Sequence, residues 1–337
     1  LAAFHAGVRP FFDGMQPGGA FLNEISYSFD VSVCALYEAL GRGMTLWTAD
    51  RTALENPKLL FEILEQANLT DWVSTPSLAE LCVQSDRFCG ALMPRLRQLL
   101  FCGEVLTKKL AQALTERFPG VPIVNAYGPT ETTVLVTGAQ MTKEMLQADA
   151  PLPIGYAFSN CEARICGADG NALAPGEAGE LCLLGATVSP GYLGRPDLNA
   201  RAFFEDGGRR GYRTGDLCRM EDGLIYYLGR LDNQIKLNGF RVELEDVENN
   251  LAKVSNIARA AVLAEMQDGK AVALTAYVML EKPDGEGSLQ RARRIKKELS
   301  ALVPSYMVPR RIIAVDSFPL NTNGKIDKKQ LRALRAT

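Results

Sequence analysis

The stretch Asn125-Ala126-Tyr127-Gly128-Pro129-Thr130-Glu131 decides how the chain is interpreted, because it follows a buried strand and carries ligand-binding groups. The preceding run, Val121-Pro122-Ile123-Val124, is apolar and β-branched, which predicts a buried strand. Gly128 and Pro129 then interrupt strand pairing, so a loop is expected at the strand end. Loops at the ends of strands are where open α/β sheets bind ligands.

The side chains of this loop suit a nucleotide. Tyr127 offers a flat face for a base, and Gly128 lets the backbone approach a ligand closely. Thr130 can donate its hydroxyl to a phosphate oxygen, and Glu131 can bind a hard cation such as Mg²⁺. The alternative is an ordinary strand-to-helix turn capped by Thr130.

Composition narrows the class of protein. The length of 337 residues favours two or three domains, and the net charge of −2 indicates neither a nucleic-acid partner nor membrane insertion. Eight scattered cysteines without a C-x-x-C pair are typical of reduced thiols in a cytoplasmic protein. The only histidine, His5, argues against a Ser-His-Asp hydrolase and against a histidine-built metal site.

Hydrophobic periodicity predicts three regions. Up to residue 150, short apolar strands alternate with amphipathic helices, which predicts an α/β domain with a parallel sheet covered on both faces. One of these helices runs from Val31 to Leu40, with Ser28 or Asp30 as N-cap and Gly41 as C-cap. Residues 151–230 are rich in Gly, Pro and short β-like runs, which predicts a β-rich subdomain. Residues 231–337 predict a small α+β domain, with a hairpin at Asn238-Gly239.

Four segments in order resemble the superfamily of acyl-adenylate-forming enzymes. They are NAYGPTE (125–131), YRTGD (212–216), GRLDNQIKLNGFRVE (229–243) and NGKID (323–327). The resemblance implies the adenylate-forming fold, with residues 1–150 and 151–230 in a partial N-terminal domain and 231–337 as a mobile C-terminal domain. Three further segments, YSFDVSV (27–33), DWVSTPS (71–77) and FCGEVL (101–106), resemble the D-alanine-activating ligases of this superfamily.

The resemblance implies an activity and its partners. ATP and Mg²⁺ would serve to activate D-alanine as an aminoacyl-adenylate. The aminoacyl group would then pass to the phosphopantetheine thiol of D-alanyl carrier protein, for D-alanylation of teichoic acids in the cell wall. The reaction would take place in the cytoplasm. A basic run on the predicted helix Leu289–Leu302 could dock an acidic carrier protein, although most such runs are simply solvated.

The resemblance also assigns residues. ATP would be bound by residues of four segments: Asn125, Ala126, Tyr127, Gly128, Pro129 and Thr130, then Asp216, then Tyr227, Leu228, Gly229 and Arg230, and finally Lys325. D-alanine would contact Asp30, Cys102, Val134 and Lys325. Asp232 would be the hinge, and Glu131 the metal ligand.

Residue chemistry fits three of these roles. The ammonium of Lys325 could neutralise charge between the substrate carboxylate and the α-phosphate, although a surface lysine in a turn is the commoner case. The Asp216 carboxylate could accept hydrogen bonds from both ribose hydroxyls, or it could merely cap a turn. Asp30 could offset the ammonium group of an amino acid, or it could act as a helix cap.

One departure from the family pattern stands out. The family has a Ser/Thr/Gly-rich phosphate loop with a lysine, upstream of every segment quoted above, and no G-x-x-x-x-G-K-[ST] occurs here. The chain also starts at Leu1, so it is expected to be the later two-thirds of such an enzyme. Two alternatives stay open: a nonribosomal adenylation domain for another small amino acid, and an inactive nucleotide- or carrier-binding fragment.

Overall fold

The computed structural model describes residues 1–14, 18–231, 234–237, 239–267, 270–319 and 326–333. Contacts between residues divide the chain into two compact units, Leu1–Leu231 and Asp232–Thr337. Among the described residues, no helix combines the length and the apolar character needed to cross a bilayer. All eight cysteines lie in described parts of the chain and are free thiols, and seven of them are buried.

The first unit is built on a seven-stranded sheet. Its elements are, in chain order, α1 Ala2–Phe12, β1 Ala20–Asn23, α2 Ser32–Arg42, β2 Thr45–Thr48, α3 Arg51–Leu54, α4 Pro57–Ala67, β3 Asp71–Ser74, α5 Pro76–Cys82, β4 Gln98–Phe101, α6 Lys108–Arg117, β5 Ile123–Tyr127, β6 Thr137–Gln140, α7 Lys143–Gln147 and β7 Tyr156–Ala157. The strand order is β2-β1-β3-β4-β5-β6-β7.

The sheet is mixed, whereas the sequence predicts a parallel one. Strands β1 to β5 pair in parallel, but β6 pairs antiparallel with β5, and β7 with β6. The physical reason is the short connection from β5 to β6, because a parallel crossover needs a dozen or more residues, usually including a helix. The rest of the α/β prediction for this region is confirmed.

Helices cover both faces of this sheet, as predicted. Along β4 and the residue after it, Leu99 and Phe101 enter one hydrophobic core, while Leu100 and Cys102 enter the other. The first core lies against α4, α5 and α6, and the second lies against α1 and α2. This alternation follows from the two-residue period of a strand. Because apolar side chains cover both faces of the sheet, polar groups are found at the ends of its strands.

An antiparallel sheet of five strands completes the first unit. Its elements are β8 Cys161–Cys166, β9 Ala178–Gly185, α8 Pro196–Ala202, β10 Phe203–Asp206, β11 Arg209–Glu221 and β12 Leu224–Arg230. The long strand β11 pairs with β10, β9 and β12, and its pairing is irregular on both sides between Arg213 and Cys218. Irregular pairing of this kind bends a strand and re-aims its side chains.

The second unit is an α+β domain built on one five-stranded sheet. Its elements are β13 Gln234–Leu237, β14 Phe240–Glu243, α9 Leu244–Leu251, β15 Ile257–Gln267, β16 Lys270–Leu280, α10 Ser288–Leu299, β17 Arg311–Ala314 and α11 Lys328–Ala333. The predicted hairpin is confirmed, since β13 and β14 pair antiparallel and Gly239 has a φ of +84°.

The predicted caps of one helix in the first unit are wrong. Helix α2 has Val31 as N-cap and Gly43, at φ +64°, as C-cap, so neither Asp30 nor Gly41 caps it. A turn delays the helix start, because the amide of Ser32 and its hydroxyl both donate to the carbonyl of Phe29. Strand β5 runs through Tyr127 and ends before Gly128, where the sequence predicts that strand pairing is interrupted.

Candidate active site

The candidate site lies at one edge of the large sheet. Strands β1, β3, β4 and β5 are parallel, so their carboxyl ends meet at that edge. Asp30 comes after β1, Cys102 directly after β4, and Gly128 directly after β5. The fold therefore gathers, at one edge, segments that are up to about a hundred residues apart in the sequence.

Asp216 is a buried carboxylate that accepts hydrogen bonds from two other residues of the site. Its side chain is buried, and the hydroxyl of Tyr127 donates to Oδ2. Nη1 of Arg230 donates to Oδ1 at 3.0 Å and to the carbonyl of Thr214 at 2.8 Å. A buried carboxylate needs such partners, because desolvation without compensation costs several kcal/mol. The arrangement holds an oriented pair of acceptor oxygens beside the end of β5.

The backbone around Asp216 is fixed by its neighbours. Oγ1 of Thr214 accepts from the amide of Asp216 at 3.0 Å and donates to the carbonyl of Leu181 at 2.8 Å. Oε1 of Glu180 accepts from the amide of Gly215 at 2.9 Å. Asp216 therefore lies inside the irregular part of β11, and the alternative that it caps a turn is wrong. Bulged strands of this kind are common beside active sites.

Tyr127 is buried, and its hydroxyl serves Asp216. Burial, and then the neighbouring Asp216 carboxylate, raise the pKa of Tyr127 well above its usual value, so the hydroxyl remains a donor. Asn125 is also buried, and its amide nitrogen donates to the carbonyl of Pro153 at 2.7 Å. Ala126 packs in the core on the α1 and α2 face. The role of Tyr127 as a platform for a base stays a prediction.

The end of β12 brings residues 227–230, which are also predicted to bind ATP, next to Asp216. Asp216 and Arg230 are directly opposite in the pairing of β11 with β12. Tyr227 packs against the core of the antiparallel sheet, Leu228 is 42% exposed, and Gly229 has a φ of +140°. Their contact with ATP stays a prediction.

The loop after β5 is tightly folded on itself. Thr133 and Val134 have φ values of +64° and +70°, a conformation that β-branched residues rarely adopt. A Cβ on Gly128 would lie 2.4 Å from the carbonyl oxygen of Val134, so only glycine fits. Thr130 is exposed at the start of a 3₁₀ turn, Thr130–Thr132, that has Pro129 as its N-cap, so Thr130 is not the cap. Strain held by such packing is typical of ligand sites.

Three of the four predicted D-alanine contacts lie in or beside one apolar cluster. Cys102 and Val134 are buried in the cluster that also holds Val31 and Cys34. Burial, followed by the charges of Cys102, Glu38 and Asp30, raises the pKa of Cys34 well above its usual value, which places Asp30 close to this cluster. Small side chains beside a carboxylate could accommodate a small amino acid with its ammonium group.

Glu131, the predicted metal ligand, is buried, and its Oε1 accepts from the hydroxyl of Tyr192 at 2.5 Å. Among the described residues, no group of three or more His, Cys, Asp and Glu side chains could hold a metal ion. One carboxylate still fits Mg²⁺, because this ion keeps several waters and is usually bound by one or two carboxylates together with substrate phosphates.

Two predicted residues lie outside the described residues: Lys325 and the hinge residue Asp232. The basic run on α10 is partly neutralised within its own unit. Arg291 pairs with Asp284 at 2.6 Å, and Arg294 pairs with Glu286 and Glu298 at 3.1 and 3.4 Å. The run therefore offers less positive charge to a carrier protein than its sequence suggests.

Two residues of the site, Glu180 and Tyr192, escape the sequence reasoning, and Thr214 enters it only as part of the segment YRTGD (212–216). Each acts on a predicted residue rather than on a ligand. Glu180 and Tyr192 carry no motif, and their only sequence signal is that each directly follows a glycine, Gly179 and Gly191.

These features define a class of protein. Residues 2–193 match the family model described as AMP-binding enzyme, and residues 246–325 match the model of the AMP-binding enzyme C-terminal domain. The chain belongs to the AMP-binding enzyme family.

Within the family, the chain is similar to D-alanine–D-alanyl carrier protein ligase of Bacillus cereus strain G9842, with 43% identity over 94% of this chain. The chain spans 63% of the length of that relative. The Vibrio cholerae adenylation domain AlmE, solved with glycyl-adenosine-5'-phosphate, has a TM-score of 0.85 at 28% identity, covering all of this chain and 62% of that one. PA1221, a nonribosomal peptide synthetase protein with adenylation and carrier domains, has a TM-score of 0.79 at 27% identity, covering 96% and 54%.

Proposed function

We propose that this chain is part of an ATP-dependent ligase that activates D-alanine and loads it onto D-alanyl carrier protein. The observation that carries the nucleotide part is the buried Asp216 carboxylate, held by Tyr127 and Arg230 at the sheet edge. The 43% identity to the Bacillus ligase supports D-alanine and the carrier as partners.

The proposed reaction has two steps. A carboxylate oxygen of D-alanine attacks the α-phosphorus of ATP, and the bond to the leaving pyrophosphate breaks. The phosphopantetheine thiol then loses its proton and attacks the acyl carbon, and AMP leaves with the electron pair of the acyl–oxygen bond. Both steps depend on positioning and on charge stabilisation more than on an acid–base pair, which fits a chain whose only histidine is His5.

The residues take the following roles in this proposal. Asp216 accepts hydrogen bonds from the ribose hydroxyls, and Arg230 keeps that carboxylate oriented. Asp30 pairs with the substrate ammonium, while Cys102 and Val134 limit the side chain to a methyl group. Lys325 neutralises charge at the α-phosphate. Residues 125–130 and 227–230 enclose the nucleotide, and Asp232 is the hinge between the two steps.

Mg²⁺ would be held by Glu131, where it would offset the charge of the phosphates. We place the reaction in the cytoplasm, because eight free cysteines are typical of a reducing compartment. The product would serve the D-alanylation of teichoic acids.

A second candidate is the activation of another small amino acid. The TM-score of 0.85 to an adenylation domain solved with a glycyl adenylate favours glycine. A pocket that accepts a methyl group also admits glycine, since one methyl is worth only about 1–3 kcal/mol of discrimination.

The experiment is amino-acid-dependent ATP–pyrophosphate exchange with D-alanine, L-alanine, glycine and D-serine, beside calorimetric titration with AMP. Lys325→Ala is the variant for chemistry, and Asp216→Asn is the matched variant for nucleotide binding. We expect exchange with D-alanine that Lys325→Ala abolishes, and AMP binding that Asp216→Asn weakens about tenfold or more, corresponding to the loss of a charged hydrogen-bond acceptor.

Different results would point elsewhere. Exchange that is strongest with glycine would favour the second candidate. AMP binding without exchange would favour a nucleotide-binding fragment. A chain that neither exchanges pyrophosphate nor binds AMP would refute the proposal.

A further inference from the structure

We propose that Tyr192 is a positioning residue for Glu131, and that the segment 188–194, here called the strap, exists to place its hydroxyl. This inference rests on the proposed function, in which Glu131 receives the divalent cation that accompanies ATP. The starting point is that the strap binds Glu131 twice. Oη of Tyr192 donates to Oε1 of Glu131 at 2.5 Å, and the amide of Ser189 donates to the carbonyl oxygen of Glu131 at 2.8 Å.

The backbone of Tyr192 is itself locked by one side chain. Its amide donates to Oδ1 of Asn199 at 2.7 Å, and Nδ2 of Asn199 donates to its carbonyl at 3.0 Å. The preceding Gly191 has a φ of +120°, and a Cβ there would lie 2.7 Å from Oδ1 of Asn199. The amide of Asn199 therefore fixes the strap at the residue that carries the hydroxyl.

The other end of the strap is held by Arg210. Its Nε donates to the carbonyl of Ser189 at 2.8 Å, and its Nη2 donates to the carbonyl of Pro190 at 2.7 Å. The same guanidinium lies over the ring of Phe203, 4.9 Å from the centroid. One planar cation thus binds two successive carbonyls, which a flexible loop would leave to water.

Aromatic packing fixes the direction of the Tyr192 ring. Its centroid lies 5.4 Å from that of Phe203 in an edge-on arrangement, and Phe203 packs on Tyr212 at 5.1 Å. The hydroxyls of Tyr192 and Tyr212 are 3.5 Å apart, at the limit of a hydrogen bond.

These contacts place the hydroxyl of Tyr192 on the carboxylate of Glu131, in the loop after β5. A bond from a neighbouring group to a ligating carboxylate sets its orientation, and loss of such a bond typically costs 10–100-fold in metal affinity. A merely structural Tyr192 would stabilise the fold without affecting how the site takes a cation.

The test compares Tyr192→Phe with Tyr212→Phe. Both variants lose a hydroxyl and keep the ring, but only the first loses the donor to Glu131. Mn²⁺ binding is measured by electron paramagnetic resonance with saturating ATP, nucleotide binding is measured in EDTA, and thermal unfolding is recorded. We expect the Mn²⁺ Kd to rise about tenfold or more in Tyr192→Phe and less than twofold in Tyr212→Phe, with metal-free nucleotide binding unchanged in both. Asn199→Ala, which releases the strap backbone but keeps the hydroxyl, should give an intermediate rise.

Equal Mn²⁺ affinity in the wild type and Tyr192→Phe would overturn the proposal, and so would equal losses in the two Tyr variants. A wild-type chain that binds ATP but no Mn²⁺ would overturn this inference together with the Glu131 assignment. A wild-type chain that binds no ATP would instead refute the proposed function on which the inference rests.

Discussion

Removal of the Tyr127 hydroxyl is the sharpest probe of the candidate site. Tyr127→Phe keeps the ring in the core and deletes one donor to the buried Asp216, which then depends on Arg230 and on water. A hydrogen bond to a charged group is worth about 1.5–3 kcal/mol, and no large cavity forms, so we expect a loss of about 2 kcal/mol in the free energy of unfolding. Urea titration at pH 7 measures this loss.

A matched control and a double-mutant cycle separate the bond from other effects. Tyr156→Phe makes the same chemical change on a ring that is 48% exposed, and it should cost less than about 0.5 kcal/mol. Combining Tyr127→Phe with Asp216→Asn should give a coupling energy of about 1–3 kcal/mol. If the two substitutions are additive, or if Tyr127→Phe costs no more than the control, then Tyr127 does not hold Asp216 and the account of the site fails.

Three further predictions concern the rest of the first unit. Burial, and then the charge of Glu104, raise the pKa of Glu24 to about 8, so stability should fall as pH rises from about 4.5 to 8 and then level off. Glu24→Gln should remove that fall, of the order of a few kcal/mol, when urea unfolding is compared at pH 5 and pH 8.5. Gly128→Ala should lower the melting temperature by several degrees, because its Cβ would lie 2.4 Å from a backbone oxygen. Gly41→Ala, on an open helix surface, should instead stabilise the protein by about 0.5–1 kcal/mol. Calorimetry checks that the two substitutions have opposite effects. Arg42→Met should lower the free energy of unfolding by about 2 kcal/mol, since Arg42 pairs at 3.0 Å with Glu38, which is 2% exposed. A wild-type melting curve that depends strongly on salt would indicate instead that the pair is solvated.

Local patterns predict the regular elements well where one principle dominates. The sequence alone delimits the helix Lys108–Arg117 and the strand Cys161–Cys166, because amphipathic spacing in the helix and the alternation of apolar with charged residues in the strand are unopposed there. Helix α1 and strand β1 escape prediction, since the former contains Pro10 and the latter is only four residues long. Strand β11 also escapes prediction, because Gly215 interrupts the alternation of apolar and polar residues by which a strand is recognised.

The site is predictable residue by residue but not as an arrangement. Motifs identify Asp216 and Arg230 separately, whereas their direct opposition depends on the register of two strands, which no local pattern determines. Tyr192 carries no motif in the sequence reasoning, and its bond to Glu131 spans 61 positions. Groups that act through another side chain leave little trace in the sequence, because their role depends on tertiary packing.

The cysteines offer a ready-made reporter of unfolding. Seven of the eight thiols are buried, in both faces of the large sheet and in the antiparallel sheet, while Cys89 alone of the eight is partly exposed. Burial also raises the pKa of Cys82 and of Cys161 to about 12, so these thiols resist alkylation both because the reagent cannot reach them and because little reactive thiolate forms. Pulsed alkylation followed by mass spectrometry would thus label Cys89 in the folded chain and each other thiol only when its own strand or helix opens. The natural sequence therefore provides a map of local opening across the first unit, without an engineered label.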